Sequence, residues 1–236
     1  RSVEYAMRRI AHTWGYREVC TPTFEELELF TLRSGEGIIE EMYVFEDKGG
    51  RKLALRPEVT ASVLRAYVNV GKTLAKPLRW YYFADCFRYE RPQKGRYRQF
   101  WQFGVELIGQ DTPLAEAEVI MLAQDLLSAS GITFTLHVGH LGFMRALLGG
   151  LAPEDQKKVR ILLDKKNYDG LSAFLSSRGE SGLSDRLTAL VECRELDDAL
   201  AITGDMPGKE RIRELFSILD QAGVPYTLNP GIARGL

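Results

Sequence analysis

The chain has 236 residues, with 31 lysines and arginines against 32 aspartates and glutamates, a net charge of −1 and an isoelectric point near 6.4. That balance excludes a surface that coats a polyanion over its whole extent, and 45% hydrophobic with 27% charged residues is ordinary for a globular protein with a sizeable core. No apolar run could span a bilayer and no targeting segment is visible, while Cys20, Cys86 and Cys193 are too scattered for a disulfide framework or zinc ribbon and fit a reducing cytoplasm.

The first residues read as an amphipathic helix with Val3, Ala6, Met7, Ile10 and Trp14 on one stripe, and no cap precedes it. "YREVCTP" (16–22) reads as a short strand stopped by Pro22, and "FEELELFTLR" (24–33) as a helix with acids at its start. "MYVFED" (42–47) and "RKLALR" (51–56) flank Lys48, Gly49 and Gly50 as a hairpin. Pro57 is expected at the first position of the next helix, with Glu58 and Thr60 in its first turn near free backbone donors. Residues 78–90 and 98–109 read as two strands joined by a basic loop, and the second alternates. Gln99, Trp101, Phe103, Val105 and Leu107 form a core face, and Arg98, Phe100, Gln102, Gly104 and Glu106 the other.

Asp111, Thr112 and Pro113 cap a helix with Leu114, Ala117, Ile120, Ala123 and Leu127 on its stripe, and "ITFTLHVG" (132–139) reads as a strand. The spacing then predicts short helices over 141–206, an amphipathic helix over 209–223, and a return to the sheet at "VPYTL" (224–228). The domain reading is a core over 1–140, a helical insertion over 141–206 and a return to the core over 207–236. The chain opens inside a helix and closes on "NPGIARGL" (229–236), a turn feeding a strand, so it reads as a piece of a longer protein.

Two stretches carry chemistry. Gln102 and Glu106 lie on one strand face about 13 Å apart at ~3.3 Å per residue, with side-chain-free Gly104 between them. That face is either solvated or the floor of a pocket for a small polar ligand, in which Glu106 needs a cationic or hydrogen-bonding partner. The loop "FRYERPQKGRYRQF" (87–100) concentrates Arg88, Arg91, Lys94, Arg96 and Arg98 against the single acid Glu90. Guanidinium forks bind phosphate bidentately and Phe100 offers a ring on which a base could stack; a solvated basic loop is the alternative. His137 and His140, three residues apart at a strand end, have no third ligand of suitable spacing, so no metal site is expected.

"FRYERPQKGRYRQFWQFGVE" (87–106) resembles motif 2 of class II aminoacyl-tRNA synthetases, and its "ERPQKGRYRQF" core resembles the histidyl-tRNA synthetase family. "LALRPEVTASVLR" (53–65) resembles that family's amino-acid-binding segment, "GYREVCTPTFEELELF" (15–30) its dimer-forming motif 1, and "GIARGL" (231–236) the opening of its histidine-specific signature. The resemblance implies an α+β fold: a class II synthetase-like, mainly antiparallel sheet flanked by helices, with a helical sub-domain inserted. It implies that Arg88 holds the α-phosphate of ATP, Glu90 contacts the adenine side, Arg96 reaches the γ-phosphate and Phe100 stacks on adenine. Glu58, Thr60 and Gln102 would surround the histidine α-amino group, Glu106 would hydrogen-bond its imidazole, and Arg234 would approach the α-phosphate opposite Arg88.

The implied reaction forms histidyl-adenylate from histidine and ATP, with Mg²⁺ accompanying the ATP, then passes the histidyl group to tRNA(His). The implied assembly is a homodimer without membrane attachment, and the implied setting is cytoplasmic. The family's motif 3 arginine, its second histidine signature and its anticodon-binding domain have no counterpart up to Leu236, so a truncated catalytic fragment is expected. Two other readings compete. A histidine-binding regulatory subunit of ATP phosphoribosyltransferase keeps a similar fold but tends to lose the basic residues present here at Arg88, Arg96 and Arg234. A general RNA-binding domain explains the loop but not the face with Gln102 and Glu106.

Overall fold

The structure, a computed structural model, describes residues 1–34, 36–91 and 93–232. The chain forms two compact units, one of Arg1–Asp111 with Glu118–Ile132, the other of Thr112–Ala117 with the chain from Thr133 onward.

In the first unit α1 (Ser2–Thr13) buries Ala11 and packs Met7, Ile10 and Trp14 beside it, while Val3 from the expected stripe stays exposed. β1 is only Arg17–Glu18, shorter than the strand expected to run to Pro22. Where a helix was expected to begin, Phe24–Glu26 is a strand, β2, and the helix α2 is Leu27–Ser34. Tertiary pairing outweighs local propensity here: Glu25 is buried and ion-paired to Arg65 at 2.8 Å, which an exposed helix start would not allow. β3 (Val44–Glu46) and β4 (Lys52–Leu55) form the expected hairpin, with β2 on β4's other edge in an antiparallel sheet ordered β2-β4-β3. Gly50 takes the turn's left-handed backbone at φ +79°.

α3 is Thr60–Asn69, three residues later than Pro57 predicts. The carboxylate of Glu58 accepts from the Ala61 amide at 2.9 Å and so satisfies an open donor from outside the helix, with Thr60 its first residue. β5 (Leu78–Phe87) and β6 (Gln99–Ile108) pair antiparallel without a break from Leu78↔Ile108 to Phe87↔Gln99, and β1 runs parallel to β5 on its other edge. The expected core face of β6 is only half core. Phe103 and Val105 pack with Tyr81, Leu122 and Leu126, whereas Trp101 is 62% exposed and stacks on Phe83 at 5.0 Å. The opposite face also has an apolar part, where Phe100 packs with Val59, Val63, Tyr82 and Cys86.

α4 (Pro113–Ala129) is capped by Thr112, whose hydroxyl accepts from the Ala115 amide at 3.2 Å. Its buried residues are Ala115, Ala117, Leu122 and Leu126; of the expected stripe Ala117 is fully buried, while Leu114 is 56% exposed. Apolar residues lie around so much of this helix that periodicity alone does not choose a face.

In the second unit only His137–Val138 of the predicted 132–139 strand joins a ladder, as β7. Five helices follow: α5 (Leu141–Leu148), α6 (Pro153–Asp164), α7 (Tyr168–Ser177), α8 (Ser181–Glu192) and α9 (Leu196–Thr203). α10 (Lys209–Gln221) buries Ile212, Leu215, Phe216 and Leu219 at helical spacing. β8 (Thr227–Leu228) pairs parallel with β7 in a two-stranded sheet of its own, not with the strands of the first unit as the sequence suggests. His140 is the cap of α5, its Nδ1 accepting from the Gly142 amide at 3.0 Å. The mixture of helices with mainly antiparallel strands is an α+β fold.

Candidate active site

The site is assembled around a buried arginine. Arg56, at the end of β4 and 4% exposed, donates through Nε to the Asp85 carbonyl at 2.7 Å and through Nη2 to its carboxylate at 2.8 Å. Nη1 reaches the carbonyls of Thr21 at 2.9 Å and Pro22 at 3.1 Å. The Arg56 carbonyl accepts from the Phe87 amide at 2.9 Å. This one residue, by its side chain and its carbonyl, thus ties the entry to α3 to the segment before β2 and to the end of β5, beside the places from which Glu58, Thr60 and Arg88 project.

Thr60, first residue of α3, donates its hydroxyl to the Glu106 carboxylate on β6 at 2.8 Å. Burial pushes the Glu106 carboxyl above its ordinary value, the Thr60 hydrogen bond pulls it back, and the charge of Glu58 adds to the rise. Gln102 lies on the same face, its carbonyl oxygen accepting from the Cys86 thiol at 3.4 Å. Burial pushes that thiol up to about 11, so it stays protonated and serves as a donor. Glu58, Thr60, Gln102 and Glu106, the residues singled out for one small ligand, therefore come together at the start of α3 and along β6.

The gap above Gly104 is not open. Tyr82 stands opposite it in the ladder, and a Cβ at Gly104 would lie 2.2 Å from the tyrosine's Cζ and Oη. The glycine makes room for a protein ring. Gly104→Ala is expected to destabilise the protein by about 1–3 kcal/mol through overpacking, seen as a lower urea midpoint. Combining it with Tyr82→Ala should cost less than the sum of the two changes.

The basic loop supplies the other half. The Nε of Arg88 donates to the Pro57 carbonyl at 3.0 Å, and its guanidinium lies over the Phe100 ring, 5.1 Å from the centroid. Among the described residues only Nε of this fork is hydrogen-bonded, which leaves its terminal nitrogens for an anion. Phe100, expected to take a base, is half-buried and already shares its ring with Arg88. Arg96 and Glu90 pair at 3.3 Å, and with Glu41, Tyr89, Arg91 and Gln93 they line an open cavity of about 620 Å³. Arg98 turns to the ring of Tyr89 instead, 4.6 Å from its centroid. Arg234 lies outside the described residues.

Sequence spacing missed Arg56, Asp85, Cys86 and Tyr82. Arg56 and Asp85 are 29 positions apart, and nothing local marks them as partners. Tyr82 had a signal: once β5 and β6 are paired, the register sets it against the one glycine of β6.

A family model described as histidyl-tRNA synthetase matches residues 1–236. The histidine-tRNA ligase of Methanoregula boonei is 65% identical over 236 residues, covering 100% of this chain and 58% of its own length. That of Methanocaldococcus jannaschii is 46% identical over 244 residues, covering 100% of this chain and 59% of its own. The chain thus spans less than two thirds of these relatives. Among solved structures, an ATP phosphoribosyltransferase regulatory subunit/histidyl-tRNA synthetase from Bacillus halodurans superimposes with a TM-score of 0.85 at 27% identity, over 98% of this chain and 63% of that one. With the family model and these relatives matching along its whole length, the chain belongs to the histidyl-tRNA synthetase family.

Proposed function

We propose that the chain carries the histidine- and ATP-binding part of a histidine-tRNA ligase. The observation that carries this reading is Glu106: a half-buried carboxylate held by Thr60 at 2.8 Å, on the same strand face as Gln102 and in the same unit as the partly unengaged guanidinium of Arg88. A half-buried carboxylate that a ligand would cover selects one that brings an N–H or a positive charge, and leaves an apolar isostere unbound because the cost of covering it is then uncompensated. The imidazole of histidine meets that demand. Its α-amino group would then lie toward Glu58, Thr60 and Gln102.

In that arrangement the histidine carboxylate attacks the α-phosphate of ATP, the bond to pyrophosphate breaks, and histidyl-adenylate forms. Arg88 supplies fixed positive charge where negative charge builds up on the α-phosphate, Arg96 reaches the γ-phosphate, Glu90 and Phe100 take the adenine side, and Arg234 is the second cation of the step. The terminal ribose hydroxyl of tRNA(His) then takes the histidyl group from AMP. Among the described residues no group of three His, Cys, Asp or Glu side chains is arranged to hold a metal by itself. Magnesium fits as an ion brought by the ATP phosphates, with Glu41 and Glu90 the carboxylates lining the cavity beside them.

The same reading includes a core over 1–140, a helical insertion over 141–206 that meets the tRNA, and a return over 207–236. It includes a homodimer, supported by exposed apolar residues on and beside motif 1: Phe24, Leu32, Val44 and Phe45. A cytoplasmic setting fits the three free cysteines, and no helix among the described residues is long and apolar enough to cross a membrane. The regulatory-subunit alternative is not favoured, since Arg88 and Arg96 are retained and the two relatives at 65% and 46% identity are named as ligases.

ATP-pyrophosphate exchange with each amino acid in turn tests the proposal. Exchange with histidine alone supports it; exchange with another amino acid instead, or histidine binding without exchange in the natural full-length chain, contradicts it. Glu106→Gln is expected to raise KM for histidine about 100-fold while leaving KM for ATP within about twofold.

A further inference from the structure

The Gln102 amide has little to hold it in place. Among the described residues its side chain makes one hydrogen bond, in which Oε1 accepts from the Cys86 thiol at 3.4 Å. The ladder explains the contact: Cys86 pairs with Phe100 and Ala84 with Gln102, so the thiol lies diagonally across from the amide on the same face of β5 and β6. Cys86 is fully buried in a cluster with Val59, Val63 and Tyr82, and Phe100 packs against it. The valines and the phenylalanine offer no acceptor. Burial pushes the thiol up to about 11 against the pull of Arg56 and Arg88, so the proton stays on sulfur and goes to Gln102.

An amide has two ends of similar shape, and turning it over exchanges an acceptor for a donor. Turned over, Gln102 would offer its NH₂ to a sulfur that accepts only weakly, and the buried S–H would lose its acceptor. We infer that Cys86 is a positioning residue for histidine binding: by donating to Oε1, its thiol fixes which end of the Gln102 amide meets the α-amino group. This rests on the reading of Gln102 as one of the groups around that amine. The oxygen has two lone pairs, one for the thiol and one for the ammonium, whereas the NH₂ of a turned amide would repel the ammonium. Cys86 itself is too deeply buried to touch the ligand and acts only through Gln102.

Two substitutions of nearly equal size in the natural full-length chain separate orientation from packing: Cys86→Ala removes the donor and Cys86→Ser keeps one. In histidine-dependent ATP-pyrophosphate exchange, Cys86→Ala is expected to raise KM for histidine about 3- to 10-fold, with kcat and KM for ATP within about twofold of the parent. Cys86→Ser should stay within about twofold in all three. A packing role predicts the reverse order, because a hydroxyl is costlier than a methyl in an apolar cluster. In a Gln102→Ala background, Cys86→Ala should add nothing further, since the group it acts through is gone. Should Cys86→Ala not fold, Cys86→Val fills the space without a donor and should show the same rise in KM. Alanine and serine variants that match the parent or are equally impaired, an equal rise in KM for ATP, or additive effects with Gln102→Ala would overturn the inference and leave Cys86 as packing. Should the unmutated protein show no dependence on histidine, the functional reading itself falls, and this inference with it.

Discussion

Arg88→Ala is expected to slow histidine-dependent ATP-pyrophosphate exchange by about 1,000-fold or more, on the scale of other arginines that meet charge in phosphoryl transfer. The geometry argues for an effect on the chemical step beyond ground-state binding. Nε of Arg88 is anchored on the Pro57 carbonyl at 3.0 Å and its plane rests on Phe100, so the guanidinium is held in place before any ligand arrives. Positive charge held this way needs no reorganisation as the reaction proceeds. Histidine binding should persist in the variant, because Glu58, Thr60, Gln102 and Glu106 do not depend on Arg88 for their hydrogen bonds. Arg98→Ala is the internal comparison: its guanidinium faces Tyr89 and the Glu90 carbonyl, and its loss should change exchange less than about tenfold.

Arg56→Ala is expected to cost about 3–5 kcal/mol of stability, the range for removing one partner of a buried ion pair. That is a large part of the ~5–15 kcal/mol that holds an ordinary domain together. The loss would leave the carbonyls of Thr21, Pro22 and Asp85 without their donor, and the Asp85 carboxylate without its counter-ion. Arg56→Lys should recover little of it, since an ammonium cannot bridge the Thr21–Pro22 segment and Asp85 with a planar fork. Urea unfolding of the two variants against the parent chain measures this. A shift below about 1 kcal/mol would mean that the clamp is dispensable.

The elements that the sequence revealed most clearly are those whose pattern is local. The hairpin of β3 and β4, the long pair β5 and β6, and the buried stripe of α10 all follow from alternation or helical spacing within one segment. The misread elements depend on partners far along the chain. Phe24–Glu26 is a strand because β4 offers an open edge and Arg65 meets Glu25. α4 buries Leu122 and Leu126 because Tyr81, Phe103 and Val105 are what it packs on. The same division runs through the site. Gln102, Gly104 and Glu106 could be placed on one face by counting, and Arg88 and Arg96 were marked by charge density. Counting could not tell that Tyr82 fills the gap above Gly104, or that Glu58 caps α3 from outside the helix, since both depend on where a second segment lies.

A crystal structure of the natural full-length chain with histidine and a non-hydrolysable ATP analogue would test the central claim most directly. The account predicts the imidazole against Glu106, the α-amino group among Glu58, Thr60 and Gln102, and the α-phosphate on the terminal nitrogens of Arg88. Histidine seated elsewhere, with Glu106 still closed onto Thr60 and no phosphate at Arg88, would contradict it.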